Sequence, residues 1–267
     1  VNRFFKMMLL AIMAAQATIA VAQDGRWAAM ANSSVTQFGL WSAFNNQAGL
    51  AEVGKGAVGI DYHNQFNMSE TSTKAAAGVV ATNSGNFALC YSRFGYSLYS
   101  EDRAGLAYAR HLGDKILVGV QFDYLRVNQT SAYGDNNVFL VEVGMIAKPI
   151  DRLYIGAHVF NPTMSKMDDY VDSRVDSRMR LGGGYYFSKD VQLTAEAEMD
   201  FEANVRFKCG IEYQIISQLF LRTGFASHPN TFTAGMGYTF KGIELTFAFA
   251  SHQYLSSSTQ FSLSYNF

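Results

Sequence analysis

Proline is nearly absent from this chain, with three in 267 residues. Because proline cannot donate to a strand ladder, its scarcity leaves room for long, continuously paired strands. Cysteine is as sparse, with Cys90 and Cys209 alone. Beyond residue 22 no apolar run approaches the roughly 20 residues a membrane-spanning helix needs. A helical membrane bundle is thereby excluded, and any membrane role has to be met by a closed sheet, which also satisfies every backbone group. A net charge of −1 gives no basic footprint for nucleic acid, so no nucleic-acid partner is expected. His63, His111 and His158 stand singly, without the paired spacing of a metal site, and no metal or cofactor is expected.

What the chain does have is 21 Phe, 15 Tyr and 23 Gly, arranged with a period of two. The last seven residues, 261–267, alternate Phe261, Leu263, Tyr265 and Phe267 with Ser262, Ser264 and Asn266. Successive strand side chains point to opposite faces, so the four apolar residues share one face and the three polar ones the other. This is how the closing strand of an outer-membrane β-barrel ends, and the aromatic set would act as its insertion signal. The last strand of a soluble sandwich fits the same alternation.

The same pattern recurs from Gly56 onward. It is clearest in 116–124, 141–147, 179–187 and 191–201, where Gln192, Thr194, Glu196, Glu198 and Asp200 fall on one face opposite Val191, Leu193, Ala195, Ala197 and Met199. A helix would scatter those charges around its axis. Fourteen runs can be counted. The run 71–82 is Ala-rich and alternates weakly, and without it the even count would be twelve. Short turns (83–86, 112–115, 148–152, 188–190, 215–218, 241–242) alternate with longer connections (97–102, 128–137, 161–177, 226–230, 251–258). Outer-membrane barrels sort their loops by rim in this way; soluble sandwiches have no reason to. The expected fold is therefore all-β: a closed antiparallel transmembrane β-barrel of about fourteen strands. The alternation puts Cys90 on the lumen face and Cys209 on the lipid face, so two free thiols are expected.

At the amino end, Arg3 and Lys6 precede an apolar run reaching Val21, and Ala20-Val21-Ala22 forms a small-x-small cleavage site. Residues 1–22 read as a secretory signal peptide cleaved near Ala22, with the mature chain placed in the cell outer membrane. Outer-membrane lipid and the barrel-insertion machinery are then the expected partners. Residues 23–55 do not alternate; around Trp41–Ala51 they read as a tight turn and a short helical piece, and the lumen is the obvious place for them.

That segment contains Asn46-Gln47-Ala48-Gly49-Leu50-Ala51, which resembles the Asn-Pro-Ala-Gly-Leu-Ala signature of the long-chain fatty-acid transporter family and its relatives, including the barrel subunit of the type IX secretion system. The resemblance implies a fourteen-stranded barrel, residues 56–267, with an amino-terminal plug, residues 23–55. Gln47 replaces the usual proline, leaving that turn less constrained. Transporter members are much longer, which puts their extended outer loops in doubt here.

Period two assigns Asp123, Glu142, Arg178, Arg180, Glu196, Glu198, Arg206, Lys208, Glu212, Arg222 and Glu244 to the lumen. Pairing of Glu196 or Glu198 with Arg180 and with Arg206 or Lys208 is expected across strands. Such charges either brace the interior or set the selectivity of a solute path. Tyr96, Tyr99, Tyr133, Tyr170 and Tyr254 are expected in the outer aromatic belt. His228, His252 and the acidic group Asp168, Asp169 and Asp172 lie in outer loops without catalytic spacing, so no enzyme is expected. Two functions remain: passive transport of a small solute, hydrophobic or otherwise, or a non-transporting barrel docked in a larger outer-membrane secretion or assembly complex.

Overall fold

The computed structural model describes residues 24–129, 135–167, 175–200, 205–252 and 256–267. Fourteen strands make one closed antiparallel barrel: β1 (Gly56–Asn64), β2 (Ser72–Thr82), β3 (Gly85–Gly95), β4 (Tyr99–His111), β5 (Ile116–Gln129), β6 (Asp135–Ile150), β7 (Leu153–Phe160), β8 (Arg178–Tyr186), β9 (Val191–Asp200), β10 (Arg206–Ile216), β11 (Leu219–Ala226), β12 (Thr231–Phe240), β13 (Ile243–His252) and β14 (Ser258–Asn266). Each strand pairs with its sequence neighbours, and β14 closes on β1, with Ala57 opposite Asn266 and Tyr62 opposite Phe261. Closure removes the free edges that an open sheet would present.

The period of two becomes an inside and an outside. On β5, Gln121, Asp123 and Leu125 are buried while Val120, Phe122 and Tyr124 face out. On β14, Phe261, Leu263 and Tyr265 face out and Ser262 and Ser264 face in. The outward band, with Leu89, Phe122, Phe139, Phe207 and Phe232 among its most exposed members, is a surface only hydrocarbon suits.

The weakly alternating run is a full strand, so the count is fourteen. Its inward residues Ala75, Ala77 and Val79 are apolar for a packing reason: together with Ala88, Cys90, Ala107 and Ala109 they bed Trp27, Leu40, Trp41, Phe44 and Leu50 of the amino-terminal segment. Small side chains on the wall leave volume for large ones inside, which erases the polar half of the alternation there.

Among the described residues two connections expected to be long are tight: 226–230 is a four-residue turn, with Ala226 paired to Thr231, and 97–102 is the other. The 97–102 segment contains no long loop: β3 and β4 stay paired to Gly95 opposite Ser100, and Tyr96 N donates to Tyr99 O at 2.7 Å, leaving a tight turn. Tyr99 accordingly turns inward instead of joining a belt, packing beside Leu125 and Phe160. Tyr133, Tyr170, Tyr254 and the acidic trio 168, 169 and 172 lie outside the described residues, as does the expected signal peptide.

Cys90 is buried and Cys209 exposed, both as free thiols. Cys209 sits in a shallow outward groove with Ala195, Ala197, Phe207 and Phe225. In reconstituted liposomes a membrane-soluble maleimide is expected to modify Cys209 and spare Cys90. Equal labelling of the two, read by peptide mass, would contradict the assigned faces.

Candidate functional site: the barrel interior

Residues 24–51 lie inside the barrel and run along its wall, and Glu52, Gly54 and Lys55 beyond them are exposed. The helix α1 (Gly25–Ala28) is capped by Asp24, whose carboxylate accepts from Arg26 N. Gly25 N donates to Ser262 of β14 at 2.6 Å. The chain then passes β12, where Thr233 Oγ1 accepts from Ala31 N and donates to Ala29 O. At β9 the Glu196 carboxylate receives both Ser34 N and Val35 N, at 2.8 and 2.9 Å. Beyond it come Glu142 on β6 and Asn86 on β3, whose amide donates to Leu50 O and Val53 O. The segment thus traces most of the inner circumference.

Glycines on the wall permit this close course. A Cβ at Gly144 would run into the Asn46 side chain, and one at Gly119 into the Gln47 backbone. Gly210 and Gly224 leave the same clearance for Met30.

The signature hexapeptide is a local brace. Asn46 caps a 3-10 turn over Gln47–Glu52: its Oδ1 accepts from Ala48 N and its Nδ2 donates to Val35 O at 2.6 Å. The helical piece expected around 41–51 is thus two 3-10 turns, the other spanning Leu40–Phe44. Ala48 and Leu50 are wholly buried, Ala51 packs against the same core, and a Cβ on Gly49 would overlap Gln37 O. Gln47, at the proline position, gains a role proline could not have: Nε2 donates to Glu142 at 2.7 Å.

Lumen-assigned charges converge in three groups. Glu142 is the centre of the first, bonded to Gln47, to His158 Nε2 at 2.9 Å and to Arg103, which also pairs with Asp123 at 3.1 Å. In the second, Glu196 and Glu198 hold Lys208 at 3.3 and 2.6 Å, and Arg180 reaches Glu196 at 3.7 Å while donating to the Asn45 carbonyl. These are the expected cross-strand pairs except at Arg206, whose Nε donates to Ser227 O instead. The third joins Arg26 to Glu212 at 2.8 Å, Glu212 to Arg222 at 2.6 Å and Arg222 to Glu244 at 3.5 Å. Arg178, opposite Asp200, is half-buried near the long-loop rim. All three groups lie between inner segment and wall. Removing one partner would strand a buried charge, at about 3–5 kcal/mol.

Sequence reasoning missed Arg103 and set His158 aside as solitary. Both occupy inward positions of their strands, so extending the alternation through β4 and β7 would have found them.

Toward the long-loop end the inner wall changes character. Leu125, Val127, Val138, Leu140 and Phe160 all point inward and bury one another with Val175, although period two promised polar residues there. This apolar cluster borders the first charge group, for the Arg103 guanidinium lies 5.3 Å from the Phe160 ring centre. Wall pairing is continuous past this level; among the described residues register shifts occur only at 147/150 and 214/216, near the short-turn end.

Solved structures of other barrels share this fold. A TodX deletion mutant described as a monoaromatic hydrocarbon channel superposes with a TM-score of 0.72 at 12% identity, covering 92% of this chain and 99% of that one. The Pseudomonas putida toluene transporter TodX gives 0.68 at 12% identity, over 92% and 98%. A Pseudomonas aeruginosa FadL homologue gives 0.61 at 12% identity, over 92% and 98%. No family model matches the sequence, and no curated protein does. These structural neighbours are channels and not enzymes, and the alternative of a docked secretion or assembly barrel gains no support from them.

Proposed function

We propose that this barrel sits in the outer membrane and conducts a small apolar solute passively, with residues 24–55 as a plug that must shift for passage. The observation that carries the reading is the apolar inner wall of Leu125, Val127, Val138, Leu140 and Phe160. A water-filled pore for hydrophilic solutes has polar walls, whereas an apolar lining desolvates and holds an apolar guest. The hydrocarbon channels that share the fold support the same solute class. The charge groups then serve the plug, holding it until a solute or a fluctuation displaces it.

The test is flux. Proteoliposomes carrying the purified barrel are expected to equilibrate toluene faster than empty vesicles while excluding a hydrophilic sugar of similar size. Sugar flux equal to toluene flux would refute the apolar assignment.

In this reading residues 1–22 direct export, and Phe261, Leu263, Tyr265 and Phe267 present the barrel to the insertion machinery. Phe267 N also closes the wall by donating to Gly56 O at 3.0 Å. Phe267→Asp is expected to remove most of the heat-modifiable barrel from the membrane fraction; undiminished insertion would count against the signal.

A further inference from the structure

The outward face carries a row of charge that neither the plug nor the solute path uses. Register aligns four residues across four strands: Lys74 on β2 lies opposite Arg93 on β3, Arg93 opposite Asp102 on β4, and Asp102 opposite Arg126 on β5. All four share the outward parity, and the three bases are exposed. Two residues down the strands, the same face presents Tyr91, Tyr124 and Phe139, the Tyr124 and Phe139 rings 5.3 Å apart. Below those lies an apolar row of Leu89, Leu106 and Phe122, again in register.

This order of apolar band, aromatic girdle and then charge is the profile of a membrane interface, and it fixes the row at headgroup depth. The placement is local. Among the described residues the outward faces of β7 through β14 bear no basic side chain, and their long-loop ends show residues such as Met179, Phe225 and Phe232.

The row is also not neutral by itself. Lys74 and Arg93 face each other directly, a like-charge pairing that disfavours the sheet unless an anion lies between them. Asp102 reaches Arg93 at 3.5 Å and accepts a hydrogen bond from Tyr91, and Asp135 pairs with Arg126, which leaves a net positive row. Three strand spacings make it about 14 Å long.

We propose that Lys74, Arg93 and Arg126 bind the phosphate groups of a phosphorylated glycolipid in the outer leaflet, whose acyl chains lie on Leu89, Leu106 and Phe122. Phosphate oxygens between Lys74 and Arg93 relieve their repulsion, and the two guanidiniums offer planar donor pairs to phosphate. The site rests on membrane insertion of the barrel but is independent of which solute passes.

Native mass spectrometry of the full barrel in an uncharged detergent, titrated with diphosphoryl lipid A, tests it. Wild type is expected to carry bound lipid, with monophosphoryl lipid A weaker and inorganic phosphate unable to compete. The triple variant Lys74→Gln, Arg93→Gln, Arg126→Gln should bind at least about tenfold more weakly, given about a fivefold effect for each basic residue at an anionic surface. A control that neutralises Lys115, Lys148 and Lys241 at the opposite rim should bind as wild type does. Equal binding of both lipids by wild type, or loss of binding only in the control, overturns the site. Competition by inorganic phosphate reassigns it to a free anion and overturns the lipid. Heat-modifiability of every variant reports folding, and the wild-type comparison stands even if the triple variant fails to assemble. A wild-type barrel that enters no bilayer overturns insertion and site together, whereas one that inserts without preference overturns the site alone.

Discussion

Glu196→Ala is expected to turn a silent barrel into a conducting one. In planar bilayers wild type should pass little ionic current, because the inner segment follows the wall from β14 to β3. Glu196 receives two backbone amides of that segment, Ser34 N and Val35 N, in a fully buried position. Hydrogen bonds to a charged acceptor contribute about 1.5–3 kcal/mol each, so the seated plug loses on the order of 3–6 kcal/mol. A loss of that size raises the unseated fraction by at least about a hundredfold. The wall keeps its fourteen ladders, so the variant should stay folded and heat-modifiable while its open probability rises. Glu142→Ala should add to the effect by releasing Gln47. Gly144→Leu should reach the same open state by sterics, since even a Cβ there meets Asn46. Silence in all three variants, with a folded barrel, would mean that these contacts do not hold the plug.

A charge placed in the apolar wall should stop the solute without opening anything. Leu140 and Leu125 are buried at 1% and 0% exposure, on neighbouring strands with Phe160 close by. Leu140→Asp exchanges a desolvated apolar contact for a carboxylate that an apolar guest cannot pair, a penalty of several kcal/mol if the group stays dry. Toluene flux in proteoliposomes is expected to fall by at least about tenfold, since 1.4 kcal/mol already suffices for that factor. Leu140→Phe, which keeps the surface apolar, should stay within a few fold of wild type. Equal flux through the Asp variant would show that the solute does not touch this wall.

How much of this was legible in the sequence follows from what period two can and cannot encode. It encodes which face a residue takes, so β5, β6, β8 and β9, Cys90 inward and Cys209 outward could be read directly. It is silent wherever the interior is apolar. On β2, Ala75, Ala77 and Val79 blur the pattern because Trp41 and Leu50 pack on them; on β5 and β6, Leu125 and Leu140 interrupt it because they pack on Phe160 and Val175. Those departures mark the two places where the interior has a task other than staying wet. The hexapeptide 46–51 pointed to the plug, but the bond from Gln47 to Glu142 joins residues 95 apart, and only the barrel's closure brings them together. Arg103 on β4 and His158 on β7 meet Glu142 on β6, a convergence of three strands that no local spacing announces.

Hydrogen exchange along residues 24–53, read by mass spectrometry on the membrane-reconstituted barrel, tests the central claim most directly. With the segment bound to the inner wall, its amides at Gly25, Ala31, Ser34 and Val35 should be protected to the same degree as those of the strands. Exchange at the rate of an unstructured peptide, beside fully protected strands, would contradict a wall-bound plug and with it the passage proposed here.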